Sequence, residues 1–189
     1  MHSLGKHTID RRALLRRGAA LAGVSVLAFP PLAQAGVDED LAEVRLVCAT
    51  KRLTIRWYTD WIDSKLASAQ DAPWLTRFRK QEEQSYAALA PLLSGTAPTD
   101  ADFDFVFPPG ALKAPNNART VGLSLERLAL GVELGAASRL SDPNVAGPVA
   151  AIAATNAMHI ALLTGALTSS LPVASSADDA STQLGEYLR

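Results

Sequence analysis

The sequence predicts an all-α fold: a four-helix bundle with a long crossover between helices 2 and 3 and a short C-terminal helix. Three observations predict it. Four long segments repeat apolar residues at three- and four-residue spacing, which draws one apolar stripe along a helix. Prolines, glycines and capping residues punctuate the gaps between these segments. One connection, Thr96 to Asn116, is far longer than the rest and carries Pro98, Pro108, Pro109, Gly110 and Pro115. A loop of that length is uncommon in a compact domain unless it serves as a crossover along a bundle.

The first helix is expected from about Asp38 to Ala67. Val44, Val47, Cys48, Lys51, Ile55, Tyr58 and Ile62 line its inner face. The second is expected from about Pro73 to Ser94, with Asp71 as cap, Pro73 in the first turn and Gly95 as the stop. Trp74, Phe78, Tyr86, Leu89 and Leu93 are its apolar positions. In the crossover, Phe103, Phe105 and Phe107 alternate with Asp102, Asp104 and Val106, as in a strand. No partner strand is evident, so the segment reads as an extended loop laying phenylalanines along the bundle. The third helix is expected from about Asn117 to Leu140, with Val121, Leu125, Leu128 and Val132 inward. The fourth opens at Ser141-Asp142-Pro143 and continues to about Leu167, offering Ile152, His159, Leu162, Leu163 and Ala166 to the core. Ser169, Ser170 and Pro172 end it, and a last short helix is expected from Ala177 to Leu188.

Before the bundle lies a segment of another kind. Met1 to Arg17 is basic, Gly18 to Phe29 is an uncharged apolar run of 12 residues, and Ala33-Gln34-Ala35 has the form of a cleavage site. These are the parts of a secretory signal, and a run of 12 is short for a permanent membrane span. The chain of 189 residues therefore divides into a signal peptide, 1–35, and one domain, 36–189. Removing the signal takes away five of the 18 basic and one of the 19 acidic residues, leaving a net charge of −5. An acidic surface argues against nucleic acid as a partner. Cys48 is the only cysteine, which excludes an intrachain disulfide and a cysteine-based metal cluster. It reads as a small core residue. Trp57, Trp61 and Trp74 read as packing residues, and Lys51, Arg52 and Arg56 as a solvated basic run. No phosphate loop, nucleophile elbow or zinc-protease motif is present.

The stretch Asp10-Arg11-Arg12-Ala13-Leu14-Leu15-Arg16 resembles the twin-arginine export motif, with Arg11 and Arg12 as the pair and Asp10 where Ser or Thr is usual. That resemblance implies export of a folded chain, to the periplasm or beyond. The domain in turn resembles the ferritin-like domain proteins that are often exported with such signals. The stretches that carry the likeness are Phe103-Asp104-Phe105-Val106-Phe107-Pro108-Pro109-Gly110-Ala111, Leu125-Glu126 and Glu133-Leu134-Gly135-Ala136-Ala137. It covers the chain from about Leu41 to Leu188.

A ferritin-like di-metal bundle needs a Glu on each of two helices and Glu-x-x-His on the other two. Carried over by resemblance, those six positions fall on Lys51, on Glu83 and Tyr86, on Glu126, and on Asn156 and His159. Glu83, Glu126 and His159 keep a ligand type, and Lys51, Tyr86 and Asn156 do not. The reading is an exported ferritin-like protein that has lost the di-iron site, holds no cofactor and serves a non-catalytic binding or scaffolding role. The alternative is one divalent ion (iron, manganese or zinc) on Glu83, Glu126 and His159, or a residual oxidase. Lys51 is expected to pair with Glu83, Glu126 or both, and Tyr86 and Asn156 to complete a polar cluster. His159 reads equally as a core histidine, and Glu133 as a surface residue or a replacement carboxylate. The partner is an unidentified protein or small molecule, a homodimer is compatible with the sequence, and no membrane span remains after signal removal.

Overall fold

The computed structural model describes residues 37–69, 71–165 and 176–188. The export motif with Arg11 and Arg12, the cleavage site with Ala33 and Ala35, and Ala166 to Pro172 lie outside them. Five α-helices occur among the described residues: α1 (Val37–Asp63), α2 (Ala72–Leu89), α3 (Pro115–Arg139), α4 (Pro143–Thr164) and α5 (Ala177–Gly185). Helix α1 packs on α2 and α3, α3 packs on α4, and the short α5 closes over α3 and α1. This is the expected helical bundle, with residues 94–114 as the long crossover.

Several boundaries differ from the sequence reading for local reasons. Helix α1 stops at Asp63 rather than Ala67, because Lys65 takes a left-handed backbone, φ 57°. Helix α2 ends at Leu89, since Pro91 lacks the N–H that would continue the ladder; a 3₁₀ turn, Ala90–Leu93, follows. Asp71 does not cap α2 with its side chain. Its carboxylate instead meets Arg119 of α3 at 3.3 Å. Asp142 does cap α4, accepting a hydrogen bond from the Asn144 N–H at 2.8 Å. At the same corner Asp40 of α1 accepts from the Ser141 N–H, the Ser141 hydroxyl and the Asp142 N–H, at 2.9, 2.9 and 3.1 Å. Three donors tie the start of α1 to the α3–α4 turn.

The core stripe of α1 is buried as expected from Val44 to Tyr58, and Leu125, Leu128, Val132, Ile152 and Leu163 join it. Leu162 does not. It is 52% exposed, next to Met158 at 44%, one turn apart on the outer face of α4. At one end of the bundle Trp57, Trp61, Trp74 and Phe78 form an aromatic run, with successive pairs of ring centroids 5.0 to 6.3 Å apart. Gly122 lets α3 approach it: a Cβ there would lie 3.1 Å from Trp57 Nε1 and from Trp61 Cζ3.

The crossover follows the bundle with defined contacts. Phe107 meets the Trp57 ring edge-on at 4.8 Å, and Phe103 stacks on Phe105 at 4.9 Å. Phe105 also finds a strand-like partner at the chain's far end, in an isolated antiparallel bridge to Leu188. The Val106 N–H donates to the Tyr187 carbonyl at 2.9 Å. The last helix accordingly ends at Gly185, because the residues after it pair with the crossover.

Candidate metal centre

The inner faces of four helices converge on one polar cluster. Lys51, Thr54 and Tyr58 come from α1, Glu82 from α2, Glu126 and Glu133 from α3, and Asn156 and His159 from α4. Thr54 and Tyr58 are 1% exposed and the other six are fully buried. Helical geometry explains the selection: residues three, four and seven apart share a face. Thr54 and Tyr58 follow Lys51 at such spacings, Glu133 follows Glu126, and His159 follows Asn156.

On α2 the inward carboxylate is Glu82, not Glu83. Glu83 is 51% exposed and reaches Arg79 at 3.5 Å on the helix surface. The stripe through Leu75, Phe78 and Leu89, all buried, passes through position 82. Counting from Phe78 by one turn lands there, and that signal was readable in the sequence. The same one-residue shift removes Tyr86 from the cluster. Its hydroxyl donates to the Pro98 carbonyl at 2.7 Å, and Arg52 lies 5.0 Å over its ring, so Tyr86 anchors the crossover. The residue three after Glu82 is Ser85, which offers no imidazole. Lys51 also leaves the solvated basic run proposed for it. Arg52 pairs with Asp100 and Arg56 with Asp60 at the surface, while Lys51 points inward.

The cluster has two halves that share Glu82. In the first, Lys51 Nζ lies 2.9 Å from Glu82 Oε2, 2.5 Å from Glu133 Oε1 and 3.1 Å from Asn156 Oδ1. Asn156 Nδ2 donates to Glu133 Oε1 at 3.1 Å, and Thr54 donates to Glu82 Oε2 at 2.8 Å. Burial alone would push the Lys51 pKa down, but Glu133, Glu82 and Glu126 outweigh it and hold the ammonium above the usual lysine value. Burial pushes Glu133 up to about 8, helped by Glu82 and Glu126 and opposed by Lys51. Glu133 is thus the replacement carboxylate, inside the bundle rather than on its surface.

In the second half, His159 Nδ1 lies 3.1 Å from Glu126 Oε1 and 3.6 Å from Glu82 Oε1. Its Nε2 is 3.0 Å from Gln81 Oε1. Phe78 stacks on the imidazole, centroids 3.9 Å apart. Tyr58 donates a short hydrogen bond to Glu126 Oε1. Burial raises the Tyr58 pKa well above its ordinary value, and the charge of Glu126 adds to this, so Tyr58 remains a donor.

These residues fit one metal ion. Ligand atoms of Glu82, Glu126 and His159 lie within 4.8 Å of one another. Glu82 Oε1 and Glu126 Oε2 are buried without a hydrogen-bond partner, which is costly for carboxylate oxygens in a low-dielectric core. The Gln81 amide oxygen faces Nε2 and carboxylate oxygens of Glu126 and Glu82 face Nδ1, so Nδ1 is the ring nitrogen placed to join the two carboxylates around a metal ion. Two carboxylates and an imidazole suit iron, manganese or zinc. Holding the outer imidazole nitrogen by a side-chain oxygen is how such ligands are oriented. Cys48, fully buried, has its thiol pushed up to about 12 by that burial, so it is a core residue and an inert one.

No curated protein and no solved structure matches the chain. The sequence model of the ferritin-like domain matches residues 34–169. That span takes in α1 to α4 and every residue of the buried cluster, and the chain belongs to the ferritin-like domain family.

Proposed function

We propose that this is an exported ferritin-like protein that has given up the paired-metal centre and holds a single divalent cation on Glu82, Glu126 and His159. One observation carries the reading. Three fully buried carboxyl groups, Glu82, Glu126 and Glu133, face a single ammonium, Lys51, and the two that also face His159 each keep an oxygen without a hydrogen-bond partner, Glu82 Oε1 and Glu126 Oε2. Buried charge without a counter-charge is strongly destabilising, and a cation bound there relieves it.

A bound ion would supply a Lewis-acidic point for a small ligand in a water-poor core. The chain's own residues do the rest. Glu82 and Glu126 contribute carboxylate oxygens, and His159 contributes a ring nitrogen, Nδ1. Gln81 fixes the imidazole from outside, Tyr58 fixes Glu126, and Phe78 covers one face of the ring. With Lys51, Ser85 and Asn156 at family ligand positions, two-metal oxidase chemistry lacks its donors, and the role is one of binding. The basic segment, the apolar run and Ala33-Gln34-Ala35 support export, and Arg11 and Arg12 support the twin-arginine route, which would let a folded, loaded protein leave the cytoplasm.

A second reading, a metal-free scaffold, is favoured by the direct His159–Glu126 contact at 3.1 Å and by the Lys51 ion pairs, which satisfy much of the cluster without a metal. Elemental analysis of the purified protein separates the two. One equivalent of iron, manganese or zinc, lost on His159→Ala, is expected. A metal-free protein with intact helices would establish the scaffold instead. Export is tested by replacing Arg11 and Arg12 with lysine, which should leave the precursor in the cytoplasm.

A further inference from the structure

We infer that the Lys51 ammonium fills a second cation subsite of the bundle, made by Glu82, Glu133 and Asn156, and that shortening Lys51 opens this subsite to a divalent metal ion. The inference goes beyond the single-cation reading and does not depend on it.

Three features carry it. First, the ammonium is surrounded as an ion in a site is. Its three donors meet three oxygens, Glu82 Oε2 at 2.9 Å, Glu133 Oε1 at 2.5 Å and Asn156 Oδ1 at 3.1 Å, with no solvent exposure. Those oxygens come from three helices, so the cavity is held by the bundle and not by the lysine. Second, Glu133 Oε2 is buried with no partner. The subsite therefore holds one more carboxyl oxygen than the ammonium uses, an oxygen that a smaller and more highly charged ion could take. Third, Glu82 serves both halves of the cluster: Oε2 faces Lys51 and Oε1 faces His159. A carboxylate so placed spans two cation positions, and one of them belongs permanently to the chain.

The chemistry follows from the tether. An ammonium on a four-carbon stem neither exchanges with solvent nor changes its coordination. Its fixed charge limits the bundle to one exchangeable ion. Removing the stem leaves a cavity lined by two carboxylates and an amide oxygen, a hard oxygen set suited to manganese or magnesium.

The test compares the full chain, Lys51→Ala and the double variant Lys51→Ala/Glu133→Gln, each stripped with chelator and titrated with Mn²⁺. Bound manganese per chain is read by equilibrium dialysis, and helicity by circular dichroism. Lys51→Ala should bind one more equivalent than the unsubstituted chain, and the double variant should return to the unsubstituted number. Should Lys51→Ala unfold when stripped, Mn²⁺ should restore its helical signal. A folded Lys51→Ala chain that binds no additional manganese overturns the inference. So does failure of Mn²⁺ to restore an unfolded one, whether or not the double variant folds, because Lys51 would then be a structural counter-charge alone. Zero equivalents in the unsubstituted chain with one in Lys51→Ala would remove the single-cation reading and keep this one. One equivalent in each would do the reverse.

Discussion

Lys51 and Glu133 meet at 2.5 Å in the centre of the bundle, both without solvent exposure, and yet Glu133 is held at about 8 rather than in the carboxylate range. Burial and the neighbouring charges of Glu82 and Glu126 outweigh the ammonium. A carboxyl raised on folding takes up a proton between its ordinary 4.5 and about 8, so the unfolded chain binds fewer protons in that window and stability falls as pH rises. Lys51 adds no slope there, because it is protonated in both states until far higher pH. Urea denaturation of the chelator-stripped protein at several pH values between 5 and 8 should therefore show a declining unfolding free energy, by at most about 1.4 kcal/mol per pH unit. Glu133→Gln should flatten that decline. A stability that rises across this range would show that Glu133 is ionised throughout.

Adjacent residues Glu82 and Glu83 provide the sharpest contrast for metal binding. Glu82 faces His159 from inside the bundle and Glu83 faces Arg79 from outside. Glu82→Gln should abolish binding of the divalent ion, and Glu83→Gln should leave it within about twofold of the unsubstituted affinity. Gln81→Leu removes only the support behind His159 and should weaken affinity by roughly 10- to 100-fold. Isothermal titration with Zn²⁺ or Mn²⁺ on the three variants checks this. Equal losses in Glu82→Gln and Glu83→Gln would be incompatible with the arrangement.

The bundle, its crossover and most of the core were legible because apolar periodicity over long helices is a strong signal. The cluster was legible less evenly, and the reason is register. Glu126, Asn156 and His159 sit among clear apolar neighbours that set which face points inward. Glu82 and Glu83 are adjacent carboxylates, and the family pattern alone chose the wrong one, carrying Tyr86 with it. The buried line from Phe78 to Leu89 contained the correct choice. Glu133 was ambiguous because a single Glu in a helix usually faces water. Only its position two turns after Glu126, opposite a buried lysine, places it inside. The Phe105–Leu188 bridge was not legible at all, since an isolated pair joining the crossover to the chain's end leaves no repeating pattern.

Gly122 marks the closest approach of α3 to the tryptophans of α1. A methyl group there would lie 3.1 Å from both Trp57 and Trp61, whose buried side chains would have to give by a few tenths of an ångström. Gly122→Ala gains helix propensity, about 1 kcal/mol, but overpacking of this kind typically costs about 1–3 kcal/mol. The net expectation is a lower thermal midpoint together with a changed tryptophan emission spectrum. A stabilised variant with unchanged emission would mean that the helices separate there without cost.

Asp40 ties the start of α1 to the α3–α4 turn through three hydrogen bonds from Ser141 and Asp142. Burial pushes its pKa up, but these donors outweigh burial and hold it below the ordinary 3.8. A depressed carboxyl contributes stability above its unfolded pKa and loses it as pH falls through the folded one, so Asp40 supports the fold at neutral pH and releases it in acid. Asp40→Ala leaves the Ser141 and Asp142 N–H groups without their acceptor and should cost about 1–3 kcal/mol at pH 7. That difference should shrink below pH 4, where the carboxylate of the unsubstituted chain is being protonated. Amide exchange offers a local check: the Ser141 and Asp142 N–H groups should lose protection in Asp40→Ala before the middle of α3 does. Unchanged protection at both positions would show that the turn holds itself without α1.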